Sequence, residues 1–228
     1  MKKIKISLIL NILIVILVIL ATIIMYTGFK FMPGKDIVLD IPSLGMLSFF
    51  TVDSNLLMGI VACIFSIFEI RLLKKDIKEI PKYMYILKLM GTTSVALTFF
   101  VVFAYLGIIA EGGYYSMIMN SNLFFHLIIP VLSIITFIFF EKNNKLKIKD
   151  SLYGIIPMLL YSIYYITNAL IHMENGKVSP KYDWYWFVQN GFWTIIIVFP
   201  LMLLITYLIS LLLWKLNKEK KDEKNGKI

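Results

Sequence analysis

The chain has 228 residues, of which 59% are hydrophobic, and its mean hydropathy is +0.81. A soluble domain of this length cannot bury so much apolar surface, so part of its solvent is lipid. The formal charge of +9 would point to nucleic acid in a soluble protein, but these basic residues fall between apolar runs and label membrane topology instead.

The opening stretch, MKKIKISLILNILIVILVILATIIM, starts like a signal peptide. Its apolar run is too long for one, and no small-x-small cleavage site follows, so it reads as an uncleaved first span over 6–27. Five further runs are long enough to cross a bilayer, over 45–68, 84–109, 121–140, 150–172 and 187–214. The expected fold class is an all-α integral membrane protein. It has a single six-transmembrane-helix bundle over 1–214 and a basic, disordered cytoplasmic tail over 215–228.

Lysine and arginine alternate in number along these connections. The N-terminus, the 69–83 loop, the 141–149 loop and the tail carry 3, 5, 4 and 6 of them, while the 28–44, 110–120 and 173–186 loops carry 2, 0 and 2. The positive-inside rule then puts both termini in the cytoplasm. Lys88, inside the third run, reads as snorkelling to the cytoplasmic boundary. The Ile- and Lys-rich composition fits the plasma membrane of a low-GC bacterium.

The second span opens on FFTVDSNLL, which sets Thr51, Asp53, Ser54 and Asn55 where a lipid-facing helix has no polar residues. In the expected topology they lie in the outer half. Asn122 and His126 fall in the outer turns of the fourth span, and Asn168 and His172 at the outer end of the fifth. Trp184, Trp186, Gln189, Asn190 and Trp193 begin the sixth. The inner halves read as mostly Ile, Leu, Val and Phe. At about 1.5 Å per residue, Thr51 and His126 lie roughly 8–10 Å inside their helix starts, at one level.

Helical spacing puts Thr51, Ser54 and Asn55 on one face, and Tyr161, Tyr165, Asn168 and His172 in a stripe on another helix. Asp53 lies about 200° from Thr51 around the helix. Polar groups avoid lipid, so these stripes predict a bundle with an internal polar pocket opening outward. Each residue also has a plainer role. A membrane threonine back-bonds to its own helix, Ser54 and Asn55 serve as helix-packing partners, and Trp184 to Trp186 form an interfacial aromatic belt.

Cys63 is the single cysteine, and His126 and His172 form no linear metal motif. There is no Gly-rich phosphate loop and no nucleophile elbow. No metal or organic cofactor is implied.

Thr51 in FFTVDSNLL, His126 in FFHLIIPVLSIITFIFF and the aromatic stretch YDWYWFVQNG together resemble the androgen-induced and androgen-dependent TFPI-regulating family. The sequence is most similar to the family's bacterial relatives, over roughly 45–200. The family consists of multi-pass membrane hydrolases that cleave fatty acid esters of hydroxy fatty acids. The resemblance implies that Thr51 is the nucleophile and His126 the general base, with a lipid ester as substrate. Asn55 or Asn168 would donate to the developing oxyanion. Asp53, Ser54, Asn122, Trp186 and Asn190 would line or support the site. The DSN after Thr51 belongs to the bacterial type rather than the animal enzymes. Two functions stay open: an intramembrane lipid-ester hydrolase, or a non-enzymatic binder or transporter of a lipid or small ligand.

Overall fold

The computed structural model describes residues 1–33, 43–175, 177–179, 181–185, 187–188 and 193–218. Six helices are long and apolar enough to cross a membrane: α1 Lys2–Thr27, α2 Phe50–Leu73, α3 Lys82–Ile109, α4 Leu123–Phe140, α5 Ile148–Ile171 and α6 Trp193–Asn217. A helix satisfies its own backbone hydrogen bonds, which suits apolar runs of this length to a hydrocarbon environment. The start of α1 meets the end of α2, the start of α3 and the residue after α4, so the helices alternate in direction.

Local chemistry sets the ends. Gly28 closes α1 in a left-handed conformation at φ 66°. The amides of Gly28 and Phe29 return to the Met25 and Ile24 carbonyls, a C-cap that a side chain at that φ would strain. Gly59 brings α1 and α2 close, since a Cβ there would stand 2.9 Å from Val18 Cγ1. One apolar core joins α1, α2 and α4, and a second joins α5, α6 and the chain between them. In that connection β1 (Met173–Glu174) and β2 (Lys177–Val178) pair antiparallel.

Several expectations are corrected. The second span starts at Phe50 and ends at Leu73, and a 3-10 helix at Ser43–Ser48 precedes it. The junction is held by tertiary partners. The Tyr161 hydroxyl donates to the Ser48 carbonyl at 2.7 Å, and the Phe50 amide donates to the Tyr185 hydroxyl at 3.1 Å. Thr51 therefore lies in the first turn of α2 rather than 8–10 Å inside it.

His126 is likewise near its helix start. α4 opens as a π-helical turn at Leu123–Ile128. Pro130 has no N–H to return to the His126 carbonyl, and the wide turn precedes that break.

α6 continues to Asn217, inside the expected tail. Asn217 is buried, and its amide donates to the Phe137 and Glu141 carbonyls at 2.6 and 3.0 Å. Lys88 does not snorkel. It is fully buried and pairs with Glu141 at 3.1 Å. The bundle end nearest the N-terminus is thus not simply apolar, because Ser7, Asn11, Glu69, Lys88 and Glu141 are buried there.

Candidate functional site

The polar residues of FFTVDSNLL divide between two faces of α2. On one face, Asn55 is fully buried, and its amide nitrogen donates to the Thr51 carbonyl at 2.7 Å and the Phe125 carbonyl at 3.1 Å. One side chain thereby ties the backbone of Thr51 to the residue before His126. With both amide hydrogens directed at carbonyls, Asn55 has none left for an oxyanion. Its Oδ1 is buried without a hydrogen-bond partner. Among the described residues, no hydrogen bond engages the Thr51 hydroxyl or joins Thr51 to His126.

His126 is wholly enclosed. Its Nδ1 lies 2.6 Å from the Met117 carbonyl, at the end of the short helix Gly113–Met117. A carbonyl only accepts, so Nδ1 carries a proton, and a buried Nε2 with no acceptor beside it favours the neutral ring with its lone pair on Nε2. Nε2 is buried with no partner. A neutral imidazole with a fixed tautomer and a bare Nε2 has the form of a general base. Asn122 is also buried, in the residue just before α4. No hydrogen bond links its side chain to the other candidates among the described residues.

The other face of α2 looks toward α3 and α5. Ser54 donates to the Thr51 carbonyl at 3.0 Å and lies 3.2 Å from the Thr98 hydroxyl on α3. Asp53 is half-buried. It lines a lateral groove of about 270 Å³ with Leu57, Pro157, Leu160, Tyr161 and Tyr164. Asp53 forms no ion pair among the described residues.

Asn168 belongs to a third arrangement. Its amide donates to the Tyr182 carbonyl at 3.1 Å. The Tyr182 ring stacks on His172 with centroids 3.6 Å apart. The Tyr165 hydroxyl donates to the Asp183 carboxylate, which also accepts the Val188 amide at 3.1 Å. Trp184 was expected in an interfacial aromatic belt. It packs edge-on against Tyr165 at 5.0 Å and donates from Nε1 to the Tyr161 hydroxyl at 2.9 Å. These bonds fold the connection before α6 over the ends of α2 and α5. Burial pushes the Tyr185 phenol up to about 12, so it stays protonated at neutral pH. Trp186 and Asn190 lie outside the described residues.

Sequence reasoning missed Asp183 and read Tyr185 as part of an aromatic belt, whereas both anchor this connection. A carboxylate set among aromatics in YDWYW was the available signal. No family model, curated protein or solved structure matches the chain in comparisons with each.

Proposed function

We propose that the chain is a multi-pass membrane hydrolase acting on lipid carboxylic esters, with Thr51 as nucleophile and His126 as general base. The observation that carries the reading is His126, an enclosed imidazole whose Nδ1 is held by Met117 and whose Nε2 is bare. The Asn55 amide, bonded to both Thr51 and Phe125, supports it by tying the two segments together. The resemblance of these segments to membrane threonine hydrolases supports it further.

In this reaction Thr51 Oγ1 loses its proton to His126 Nε2 and attacks the ester carbonyl carbon. The alcohol leaves with that proton. Water, activated in turn by Nε2, then releases the acid and restores the threonine. The substrate's acyl chain would lie among the apolar side chains of the bundle, and the protein would reside in a bacterial plasma membrane with both termini cytoplasmic.

A second reading is favoured by the groove at Asp53. A half-buried carboxylate between α2 and α5, without an ion-pair partner among the described residues, suits a non-enzymatic binder of a cationic amphiphile.

The test is labelling of the protein in nanodiscs with a fluorophosphonate probe and with lipid-ester substrates. Wild type is expected to label and hydrolyse, and folded Thr51→Ala and His126→Ala variants to do neither. Hydrolysis that survives in folded Thr51→Ala overturns the nucleophile assignment. A folded wild type inert to both reagents turns the reading to the Asp53 groove.

A further inference from the structure

Five polar side chains from the first four helical segments meet at the bundle end opposite His126. Ser7 and Asn11 come from α1, Glu69 from α2, Lys88 from α3, and Glu141 directly follows α4. None is more than 3% exposed. The Asn11 amide lies 3.1 Å from Glu69 Oε2, 2.9 Å from Glu141 Oε1 and 3.4 Å from Ser7 Oγ. Lys88 Nζ donates to Asn11 Oδ1 at 2.5 Å and pairs with Glu141 Oε1 at 3.1 Å. Ser7 Oγ donates to the same Glu141 oxygen at 3.3 Å.

The charges do not balance. Two carboxylates share one ammonium, leaving a net charge of −1 among buried side chains, where even one unpaired charge is costly. Both carboxylates reach the same amide nitrogen, so their oxygens are within about 6 Å, a distance at which like charges disfavour joint ionisation. The remaining charges on the surrounding elements do not supply the balance. Lys5, Arg71 and Lys215 are exposed. Lys82 pairs with Asp150 at 2.7 Å. Lys142 forms no ion pair among the described residues. α6 contributes the neutral Asn217, bound to the Glu141 main chain.

The two oxygens of Glu141 differ. Glu141 Oε1 takes all the donors, while Oε2 of the same carboxyl is buried with no partner. A hard metal cation gathers about six or more oxygens, but Lys88 already occupies Glu141 Oε1 and Asn11 Oδ1. A proton needs only one oxygen.

We propose that Glu69 and Glu141 form a buried proton-binding site and hold one exchangeable proton between them at neutral pH. The proton cancels the excess charge, and it belongs to the pair rather than to either residue. This site is separate from the proposed hydrolytic residues, and its test does not depend on hydrolysis.

The test is infrared difference spectroscopy of the full chain in nanodiscs. At neutral pH the wild type is expected to show the C=O stretch of one protonated carboxylic acid, shifting on transfer to heavy water. Glu69→Gln with Glu141→Gln, which mimics the protonated pair in size, is expected to abolish it. Asp53→Asn is expected to leave it unchanged. Lys88→Met removes the ammonium, so neutrality requires two protons and the band is expected to double. A folded wild type with no such band overturns the proposal, as does a band that survives the double Gln variant or disappears with Asp53→Asn. Should the double variant fail to fold, the wild-type and Asp53→Asn spectra still decide.

Discussion

Tyr185 holds the start of α2 by accepting the Phe50 amide at 3.1 Å, across 135 residues of sequence. The first amides of a helix have no intrahelical partner. Here a phenol from the distant connection supplies one, beside the residue proposed as nucleophile. Tyr185→Phe removes this acceptor and is expected to cost about 1 kcal/mol, read as a lower Tm in detergent. The same variant has a pH signature. The free phenol ionises near 10.0 and the folded one at about 12. Between those values the unfolded chain releases its proton first, so this contribution falls as pH rises. The alkaline loss of stability is expected to be shallower in Tyr185→Phe than in wild type.

Asn55→Leu tests the link between α2 and α4. It leaves the buried Phe125 carbonyl without the amide that now bonds it at 3.1 Å. A buried polar group left unpaired costs about 1–3 kcal/mol, and chemical denaturation reads that loss directly. If the proposed activity is right, hydrolysis is expected to fall further than the fraction of folded protein does.

Two asparagines in similar burial are expected to behave differently. Asn11 bonds to Ser7, Glu69, Lys88 and Glu141. Asn11→Leu strips donors and an acceptor from charged groups and is expected to destabilise by about 3 kcal/mol or more. Asn122→Leu loses no side-chain hydrogen bond among the described residues and is expected to cost clearly less than Asn11→Leu. Paired thermal unfolding curves check the contrast.

Gly59→Val forces a side chain against Val18, whose Cγ1 would lie 2.9 Å from the new Cβ. Overpacking of this kind costs about 1–3 kcal/mol. Val18→Ala in the same chain is expected to restore part of the loss. A non-additive double-mutant cycle would show that the two residues meet.

The number of apolar helices and their approximate extents were legible in the sequence, because twenty-residue apolar runs have few other folded forms. Their ends were less legible. The start of α2 depends on Tyr161 and Tyr185, which contact it from far along the chain. Hydropathy carries no trace of such partners. The polar residues of FFTVDSNLL were identifiable as unusual, but spacing on one helix does not say which neighbour each face meets. Asn55 turns to α4, while Ser54 contacts α3. The charged cluster escaped for a different reason. Glu69 and Glu141 sit at the edges of apolar runs, where a carboxylate reads as a loop residue. Only packing shows that Lys88 draws one of them inward.

Asn11 also bears on how the chain is assembled. Its partners Glu69, Lys88 and Glu141 follow it by 58, 77 and 130 residues. In a chain made from its N-terminus, the Asn11 amide has only Ser7 of its own helix to bond at first, and Lys88 arrives before the carboxylate that pairs with it. A nascent chain ending after α3 therefore holds Lys88 and Glu69 without the carboxylate that Lys88 pairs with at 3.1 Å. Synthesis of Glu141, one residue beyond α4, completes the set. The helix that carries Asn11 is fully fastened only when Glu141 has been laid down, so the cluster closes late in synthesis.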